Sequence, residues 1–465
     1  MDVRTLNANA RLKLALFGTP DVPLVLLGNF EVEDKWAHGE PGLPRVSFSG
    51  GAAIVNRMEE FALTLAGAGD AVVLKQAPDP GFLAYLDGLG LPLPRICVAG
   101  AQDPGRTVTE DALADEGLRR ELGELAARGF HLAPHGVSGL EQRLAEETGL
   151  PLAAPSASVC KAVNSKLYSR AVAEAEGLRQ SAGWACARLP ELTRAATWAS
   201  GLLAAGGTVV VKDAFGVSGK GIVVIDDQRR LDQLVRMIGR RAERAGDDRV
   251  GVVVEEWVAK RADLNYQFTI ARDGGVRFDF VKEAITEGGV HKGHRIPARL
   301  TPGQVAELEE AAQRLGRRLH ADGYFGVAGV DALVEPDGRI QPVIEINARN
   351  NMSTYQAQLQ ERFVGAGTVA LARHYPLRLA APLPFDALRA GLGDLLFDPA
   401  AGAGFLVNNH ATVNATVNAT VNAGATRTRD GFDGRLYGLV VAGTQERMEA
   451  LDHAVAERLK GVFGA

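Results

Sequence analysis

Polar side chains at alternate positions near residue 345 are those of a metal or phosphate site. Glu345, Asn347 and Arg349 alternate with apolar residues, so in an extended strand all three project from one face. Asp331 lies in the apolar run just before them. Carboxylate and amide oxygens without histidine or cysteine suit Mg²⁺, which binds one or two carboxylates together with substrate phosphates. The alternative is a solvated edge hairpin, but these runs are mostly too apolar for one.

A β-hairpin must position these groups, with its turn at residues 336–338, Pro-Asp-Gly. Proline presets φ and glycine accepts a positive φ, so both residues favour a turn. A two-residue turn would place Asp331 on the face opposite Glu345. A three-residue loop would pair Asp331 with Val343 and place it diagonal to Glu345 on the same face, at about 7–8 Å. The Pro-Asp-Gly order favours the three-residue loop.

Two lysines and a glycine-rich loop lie upstream. Lys166 belongs to a helical segment, and Lys212 ends the β segment 208–212. Glycine permits close backbone approach, and consecutive amides can cradle anionic oxygens, so the loop after Lys212 could cover phosphates. It does not have the Walker A spacing, and an ordinary hairpin is the alternative. The residues expected to form this flap are Phe215, Gly216, Ser218, Gly219 and Gly221.

Residues 286–299 are predicted to form an irregular basic loop, with two His, one Lys and two Arg among fourteen residues. Such a loop could close over phosphates or a carboxylate and exclude water, although a solvated charged loop is the alternative. Two anionic groups held close together need fixed positive charge around them. The basic side chains that could supply this charge are His291, Lys292, His294 and Arg295 of the loop, together with Arg349.

Composition restricts the class of protein. The 465 residues are too many for one core, and 46% hydrophobic with 23% charged residues is typical of a soluble globular enzyme. The net charge of −5 argues against nucleic-acid binding. The 3 cysteines form no metal spacing or paired framework and indicate a reducing compartment. No long apolar run predicts a membrane span, and a cytoplasmic location is expected by default.

Short apolar strands alternate with helical segments between residues 22 and 137, which predicts a parallel sheet. Residues 1–20 are expected to be a polar lead-in. Towards the end the pattern predicts a helix at 364–373 and a proline-rich linker at 376–384. A tetrapeptide, Ala-Thr-Val-Asn, is repeated over residues 411–422 and is expected to be a strand ending in a loop-like repeat.

The candidate residues follow one another in a definite order: Lys166, Lys212, the segment Glu255-Glu256-Trp257-Val258, and then Asp331, Glu345 and Asn347. This order resembles the ATP-grasp superfamily over about residues 157–355. The resemblance implies an α/β chain: a Rossmann-like preATP-grasp domain, a two-subdomain α+β ATP-grasp fold and a small C-terminal α/β extension. The implied domains are 1–156, 157–250 with the flap, 251–395 with the metal site, and 396–465.

The resemblance also implies roles. Lys166 and Lys212 would contact ATP phosphates beneath the flap, and Arg349 would face the reacting carboxylate or phosphate. Asp263 or Asn265 would contact the ribose. The segment implied to hold adenine comprises Glu255, Glu256, Trp257 and Val258, and the implied Mg²⁺ ligands are Asp331, Glu345 and Asn347.

The sequence EINARNN at 345–351 and the C-terminal extension are similar to the pheganomycin-type peptide ligases, which join a small acid to the amino end of a peptide. This resemblance implies an ATP- and Mg²⁺-dependent carboxylate–amine ligase of natural-product biosynthesis that forms an acyl phosphate. Its partners would be a small carboxylate and an amine or peptide, with a homodimer as one option. The rivals are an ATP-grasp kinase, a carboxylase and a non-catalytic nucleotide-binding module.

Overall fold

The computed structural model describes residues 6–43, 52–216, 221–287, 290–416 and 431–463. The predicted flap residues Ser218 and Gly219 and repeat residues 417–422 lie outside these ranges. In the described part, 3₁₀ turns occur at Met58–Thr64, Gly393–Leu395 and Ala411–Val413. The helices are α1 Ala8–Phe17, α2 Val32–Ala37, α3 Ala52–Val55, α4 Pro80–Gly88, α5 Val108–Ala114, α6 Glu116–Ala127, α7 Gly139–Thr148, α8 Ala157–Val163, α9 Lys166–Ala175, α10 Leu189–Ala204, α11 Gln228–Ala245, α12 Pro302–Ala321, α13 Met352–Tyr355, α14 Ala357–Phe363, α15 Phe385–Leu392 and α16 Gln445–Phe463.

The described strands form three sheets. Their bounds are β1 Leu24–Leu27, β2 Ala71–Leu74, β3 Arg95–Val98, β4 His131–Pro134, β5 Gly183–Arg188, β6 Val209–Asp213, β7 Ile222–Ile225, β8 Arg249–Glu256, β9 Ala262–Ile270, β10 Val276–Glu287, β11 Val290–Ile296, β12 Gly326–Val334, β13 Ile340–Asn347, β14 Val369–Leu379, β15 Gly404–Asn409 and β16 Phe432–Ala442.

The predicted parallel sheet is present, with strand order β3-β2-β1-β4. A small antiparallel sheet, β5-β8-β6-β7, carries Lys212. A large antiparallel sheet has the order β13-β12-β9-β10-β11-β14-β16-β15 and carries the predicted metal ligands. Because β15 and β16 belong to this large sheet, strand pairing continues across residue 396, where the C-terminal extension is predicted to begin.

The N-terminal lead-in prediction was wrong, because residues 8–17 form α1. Asn7 caps this helix, and two of its polar residues face inward. Lys13 Nζ bonds Asp70 Oδ1 at 2.6 Å, and Asn9 Nδ2 bonds Asp70 Oδ2 at 3.0 Å. The polar sequence is therefore the partner of a buried carboxylate, and not a solvated tail.

Two predictions between residues 364 and 384 were also wrong, because residues 369–379 form β14. Proline is tolerated in this strand because, among the described residues, β11 pairs with residues 370–373 of β14. On that side Pro376 therefore has no paired strand to which a backbone N–H would have to donate. The repeat begins with the 3₁₀ turn at 411–413 and not with a strand. No helix in the described ranges is long and apolar enough to span a membrane.

Candidate active site

The hairpin at residues 326–347 has the predicted three-residue loop. Glu335 N donates to Arg339 O at 2.9 Å, and Gly338 has a φ of 89°. The predicted pairing of Asp331 with Val343 is wrong, however, because the register shifts and Asp331 lies directly opposite Glu345. Pro342 occupies the irregular stretch and has no N–H for the ladder. Because of this irregularity, the two carboxylates belong to directly paired residues of neighbouring strands.

A single row across the large sheet joins the site residues. The backbone partners run from Lys282 to Asn265, Asp331 and Glu345. Side chains of directly opposite residues project from the same face, which we call the site face. Asn265 Nδ2 donates to Asp331 Oδ1 at 2.9 Å, and Asn347 Nδ2 lies 3.4 Å from Asp331 Oδ2. The structure thus brings together all three predicted metal ligands.

The two facing carboxylates create a local excess of negative charge. Burial, with the neighbouring charge of Glu345 as the next cause, raises the pKa of Asp331 to about 6. Among the described residues, no group of three or more His, Cys, Asp or Glu side chains forms a metal site. Two carboxylates and the Asn347 amide nevertheless fit Mg²⁺, which takes its remaining oxygens from phosphates and water. Their mutual repulsion is what a divalent cation would relieve.

The predicted phosphate lysines meet carboxylates on both sides of one crevice. Lys166 Nζ bonds Glu345 Oε1 at 2.5 Å and Gly216 O at 2.9 Å. Lys212 forms an ion pair with Glu255, whose other oxygen accepts from Arg170 Nη1 at 3.2 Å. Both lysines are buried. The crevice between the small sheet and β13 is therefore lined by charges that can be exchanged for those of a triphosphate.

Gly216, at the first end of the predicted flap, and Glu255, which begins the predicted adenine segment, lie at this crevice. Lys161 Nζ lies 5.7 Å from the centre of the Phe215 ring, and Gly221, at the far end of the flap, has a φ of 80°. In the adenine segment, Glu256 N donates to Ala182 O and Trp257 N donates to Thr208 O, both at 2.8 Å. These backbone amides are engaged in the small sheet, whereas the Trp257 side chain is exposed. The next residue, Val258, is half-buried.

Asp263 lies on the site face, two residues before Asn265 on β9. Its carboxylate accepts from Lys260 Nζ at 2.6 Å and from Thr286 Oγ1 at 2.6 Å. Asn265 is bonded to Asp331 and lies closer to the predicted metal ligands. The structure therefore gives the two ribose candidates different surroundings.

Arg349 is already bound to a carboxylate of the N-terminal part of the chain. Its Nε donates to Glu33 Oε1 at 2.7 Å, and its Nη2 also contacts that oxygen. Nη2 donates further to Asn347 Oδ1 at 3.0 Å, and Nη1 donates to Asn350 O at 2.9 Å. The guanidinium thus ties the end of β13 to α2. No sequence pattern could have indicated Glu33, which is 316 residues away in the chain.

The basic-loop prediction was wrong, because residues 290–296 form β11 and pair with β10 and β14. Arg295 Nη1 bonds Glu283 Oε1 at 2.7 Å, and Arg299 Nε also bonds the Glu283 carboxylate, at 3.0 Å. Glu283 lies opposite Leu264 and therefore faces away from the neighbouring Asn265. Arg295 is thereby held on the face opposite Asp331.

The other basic residues of this segment also lie in β11. His291 pairs with Thr286 across the ladder, and His294 is buried opposite Ala284. Lys292 is half-buried, and both Lys292 and His294 make contacts of their own. Residues 290–296 are therefore part of the large sheet.

A parallel α/β sheet, a small sheet with a glycine loop, and two lysines facing paired carboxylates define the class of ATP-dependent ligases. The Pre ATP-grasp domain model matches residues 58–150, and the ATP-grasp domain model matches residues 178–355. The chain belongs to the ATP-grasp superfamily, and the predicted resemblance is confirmed.

A similar curated protein is the [butirosin acyl-carrier protein]–L-glutamate ligase of Niallia circulans. It is 29% identical over 329 residues, which are 70% of this chain and 71% of that protein. The chain is similar in structure to a biotin carboxylase–β,γ-ATP complex from Campylobacter jejuni, with a TM-score of 0.55, 14% identity, and coverage of 88% of this chain and 89% of that one.

A second similar structure is the ADP complex of an N5-carboxyaminoimidazole ribonucleotide synthetase. Its TM-score is 0.52 at 12% identity, over 95% of this chain and 97% of that one. At these identities, the structural likeness supports the fold alone. The fold class predicted from the sequence is confirmed.

Proposed function

We propose that this ligase activates a small carboxylic acid as an acyl phosphate and transfers the acyl group to an amine or peptide. The observation that carries the proposal is the Lys166–Glu345 ion pair beside Asp331. This ion pair supports the proposal because it brings the candidate phosphate-binding lysine of one subdomain against the candidate metal-binding carboxylates of the other. Phosphoryl transfer depends mainly on such positioning and charge neutralisation.

The chemistry balances in two steps. A carboxylate oxygen of the acid attacks the γ-phosphorus of ATP, the bond to the β-phosphate oxygen breaks, and ADP leaves. The amine nitrogen then attacks the acyl carbon, phosphate leaves with the bonding electron pair, and the nitrogen loses a proton. Lys166 and Lys212 would neutralise the triphosphate, and the flap at 215–221 would exclude water that could hydrolyse the intermediate.

Asp331, Glu345 and Asn347 would hold Mg²⁺, which when bound neutralises charge on the phosphate oxygens. Glu255 to Val258 would hold adenine, with Asp263 or Asn265 at the ribose. For Arg349, a direct grip on the substrate acid requires displacement of Glu33, because the guanidinium already contacts that carboxylate. Its present contacts support a second role, in which it orients Asn347 for the metal.

The similar protein of Niallia circulans is, by its name, a ligase of L-glutamate and an acyl-carrier protein. An amino acid is therefore the first acid to test, with an amine, a peptide or a carrier protein as acceptor. A place in bacterial natural-product biosynthesis, a cytoplasmic location and a homodimer belong to the same proposal.

The test uses hydroxylamine as the amine, with ATP, Mg²⁺ and each of the common amino acids in turn. We expect acid-dependent formation of a hydroxamate together with ADP and phosphate. With an ¹⁸O-labelled carboxylate, one label should appear in the released phosphate, because the attacking oxygen stays on phosphorus. AMP and pyrophosphate would indicate adenylation, a stable phosphorylated product a kinase, and dependence on bicarbonate a carboxylase. Each of these results would contradict the proposal.

A further inference from the structure

Lys282 is a fully buried lysine with no carboxylate partner among the described residues. It lies in β10, and its side chain has no exposed surface. Its Nζ lies 3.2 Å from Gln356 Oε1 and 4.6 Å from the centre of the Phe280 ring. An amide oxygen and a ring face compensate an ammonium group less than an anion does. The position is therefore set up for a negative group that the chain itself does not supply.

The surroundings of Lys282 are those of the candidate active site. It is the direct cross-strand partner of Asn265, and Asp331 is the next residue in the same row. Neighbouring strands are about 4.8 Å apart, so Lys282 starts about 10 Å from Asp331 on the site face. The segment that covers it follows the metal-binding strand directly, since Ser353 Oγ contacts Asn265 Oδ1 and Gln356 contacts Lys282.

The other cations around the site already have partners. Lys166 is paired with Glu345, Lys212 with Glu255 and Arg349 with Glu33. Farther along the site face, Arg277 Nε bonds Asp279 Oδ1 at 2.9 Å. Lys292 and His294 of β11 make contacts of their own. Lys282 thus differs from the other buried lysines of the site in having no ion pair.

We propose that Lys282 and Gln356 form the subsite that receives the carboxylate of the acid substrate. This inference rests on the proposed ligase function and adds to it the residue that binds the acid. Lys282 would donate to a carboxylate oxygen, while the Gln356 amide would orient the group. Access requires movement of the segment from α13 to α14, whose Gln356 side chain lies against Lys282.

The electrostatics support the subsite. Burial lowers the pKa of Lys282 to about 7. A bound carboxylate would favour the charged ammonium form of Lys282. Binding of an acid here should therefore be accompanied by uptake of a proton by Lys282 near neutral pH. The polar groups that the structure places on the same face near Lys282 include Asn265 on β9, Gln356 from the covering segment, the buried His294 of β11 opposite Ala284 and, farther along the row, Asp331.

The test compares Lys282→Met with wild type in the hydroxylamine assay, using the amino acid that reacts fastest with wild type. Loss of a charge-assisted contact should raise KM for the acid about 10- to 100-fold, while KM for ATP stays within about twofold. The control is Lys460→Met, which removes an exposed lysine near the end of α16 and should change neither constant. Met keeps the length of the side chain, and removing an unpaired buried amine should not lower the melting temperature.

A binding measurement makes the inference independent of turnover. Sodium acetate and sodium L-glutamate are titrated at constant ionic strength against enzyme with a non-hydrolysable ATP analogue and Mg²⁺. We expect both to raise the melting temperature of wild type and Lys460→Met but not of Lys282→Met. An unchanged acid KM, or equal losses for acid and ATP, would overturn the subsite while leaving the ligase function intact. Absence of any acid-dependent ADP would instead contradict the ligase function, and the titration would then decide the subsite.

Discussion

Arg349 and Glu33 form an ion pair that joins the end of β13 to α2 of the N-terminal part of the chain. Both side chains are mostly buried, with 14% and 15% of their surface exposed. Removing one partner of such a pair leaves the other charge without compensation. We therefore expect Glu33→Ala to lower the free energy of unfolding by about 3 kcal/mol.

Urea denaturation at pH 7.5 measures this effect. Glu361→Ala is the matched control, because Glu361 pairs with Arg11 and 37% of its side chain is exposed. A more exposed pair should contribute less than about 1 kcal/mol. Equal losses in the two variants would show that the Arg349–Glu33 contact has no special structural role.

Asp331→Asn and Glu345→Gln should abolish turnover, since each removes one anionic ligand of the predicted Mg²⁺. Asp331→Asn should also be at least as stable as wild type without metal, because it removes a charge that burial disfavours and that Glu345 also opposes. Steady-state rates and thermal melts test both parts. Normal activity of both variants at limiting Mg²⁺ would reject the metal assignment.

Lys166→Met and Lys212→Met should each weaken ATP binding about 10- to 100-fold, because a phosphate loses a cationic partner. The two variants should differ in stability. Without Lys212, Glu255 still has Arg170 at 3.2 Å, whereas Glu345 loses its ion-pair partner without Lys166. Calorimetric titration with ATP and parallel melts measure the two effects. Unchanged ATP affinity in both variants would refute the phosphate assignment.

Gly221→Val should impair the flap. The φ of Gly221 is +80°, and a Cβ there would lie 3.0 Å from Asp213 Oδ2. We expect weaker ATP binding and a lower melting temperature, because valine is strained in that conformation. The control is Gly239→Ala in α11, where a Cβ meets nothing within 4 Å and should stabilise the helix by up to about 1 kcal/mol. Kinetics like those of wild type for Gly221→Val would show that the loop takes no part in catalysis.

Glu60 should make stability depend on pH. It is buried, accepts from His410 N at 2.6 Å and Ala411 N at 2.7 Å, and burial raises its pKa from 4.5 to about 7. Between these values the folded chain binds this proton more tightly than the unfolded chain does. The contribution of Glu60 to stability should therefore be largest below pH 4.5, fall as the pH rises to about 7, and then level off.

Glu60→Gln should remove that part of the pH dependence of the free energy of unfolding. This part amounts to on the order of 3 kcal/mol between the low-pH and the high-pH end of the Glu60 titration. Denaturation curves of the variant and wild type at pH 5 and pH 8 give the difference. Carboxyl groups that lie far from Glu60 titrate alike in both proteins and cancel, whereas Glu59 is coupled to Glu60 because its charge helps to raise the pKa of Glu60. Parallel pH profiles of the two proteins would contradict the prediction.

Local pattern was enough for much of the fold and for the shared face of the candidate metal ligands. The apolar runs of β1 to β4 indicate a parallel sheet, because each strand is short, buried and separated by a helix. Pro336 to Gly338 determine a three-residue loop through their own φ preferences. The alternation of Glu345 and Asn347 fixes their shared face, because the period of a strand is two.

Some errors came from local signals that compete with one another. Pro342 accounts for the shift that moves Asp331 opposite Glu345, yet the turn alone predicted an undisturbed register. The helical pattern at 364–373 was overridden because the segment pairs with two strands, β11 and β16.

By itself the sequence determined the ATP-grasp order of lysines, glycine loop and carboxylates, because those signals lie within single strands and turns. Only the tertiary structure decided which cations are free to act. Glu33 contacts Arg349, Glu283 holds Arg295 on the far face, and Lys282 is buried with no carboxylate partner in the part of the chain that the structure describes. These pairings join residues brought together by packing, and the energy of a charge depends on its burial and on its partners, neither of which the sequence of one strand contains.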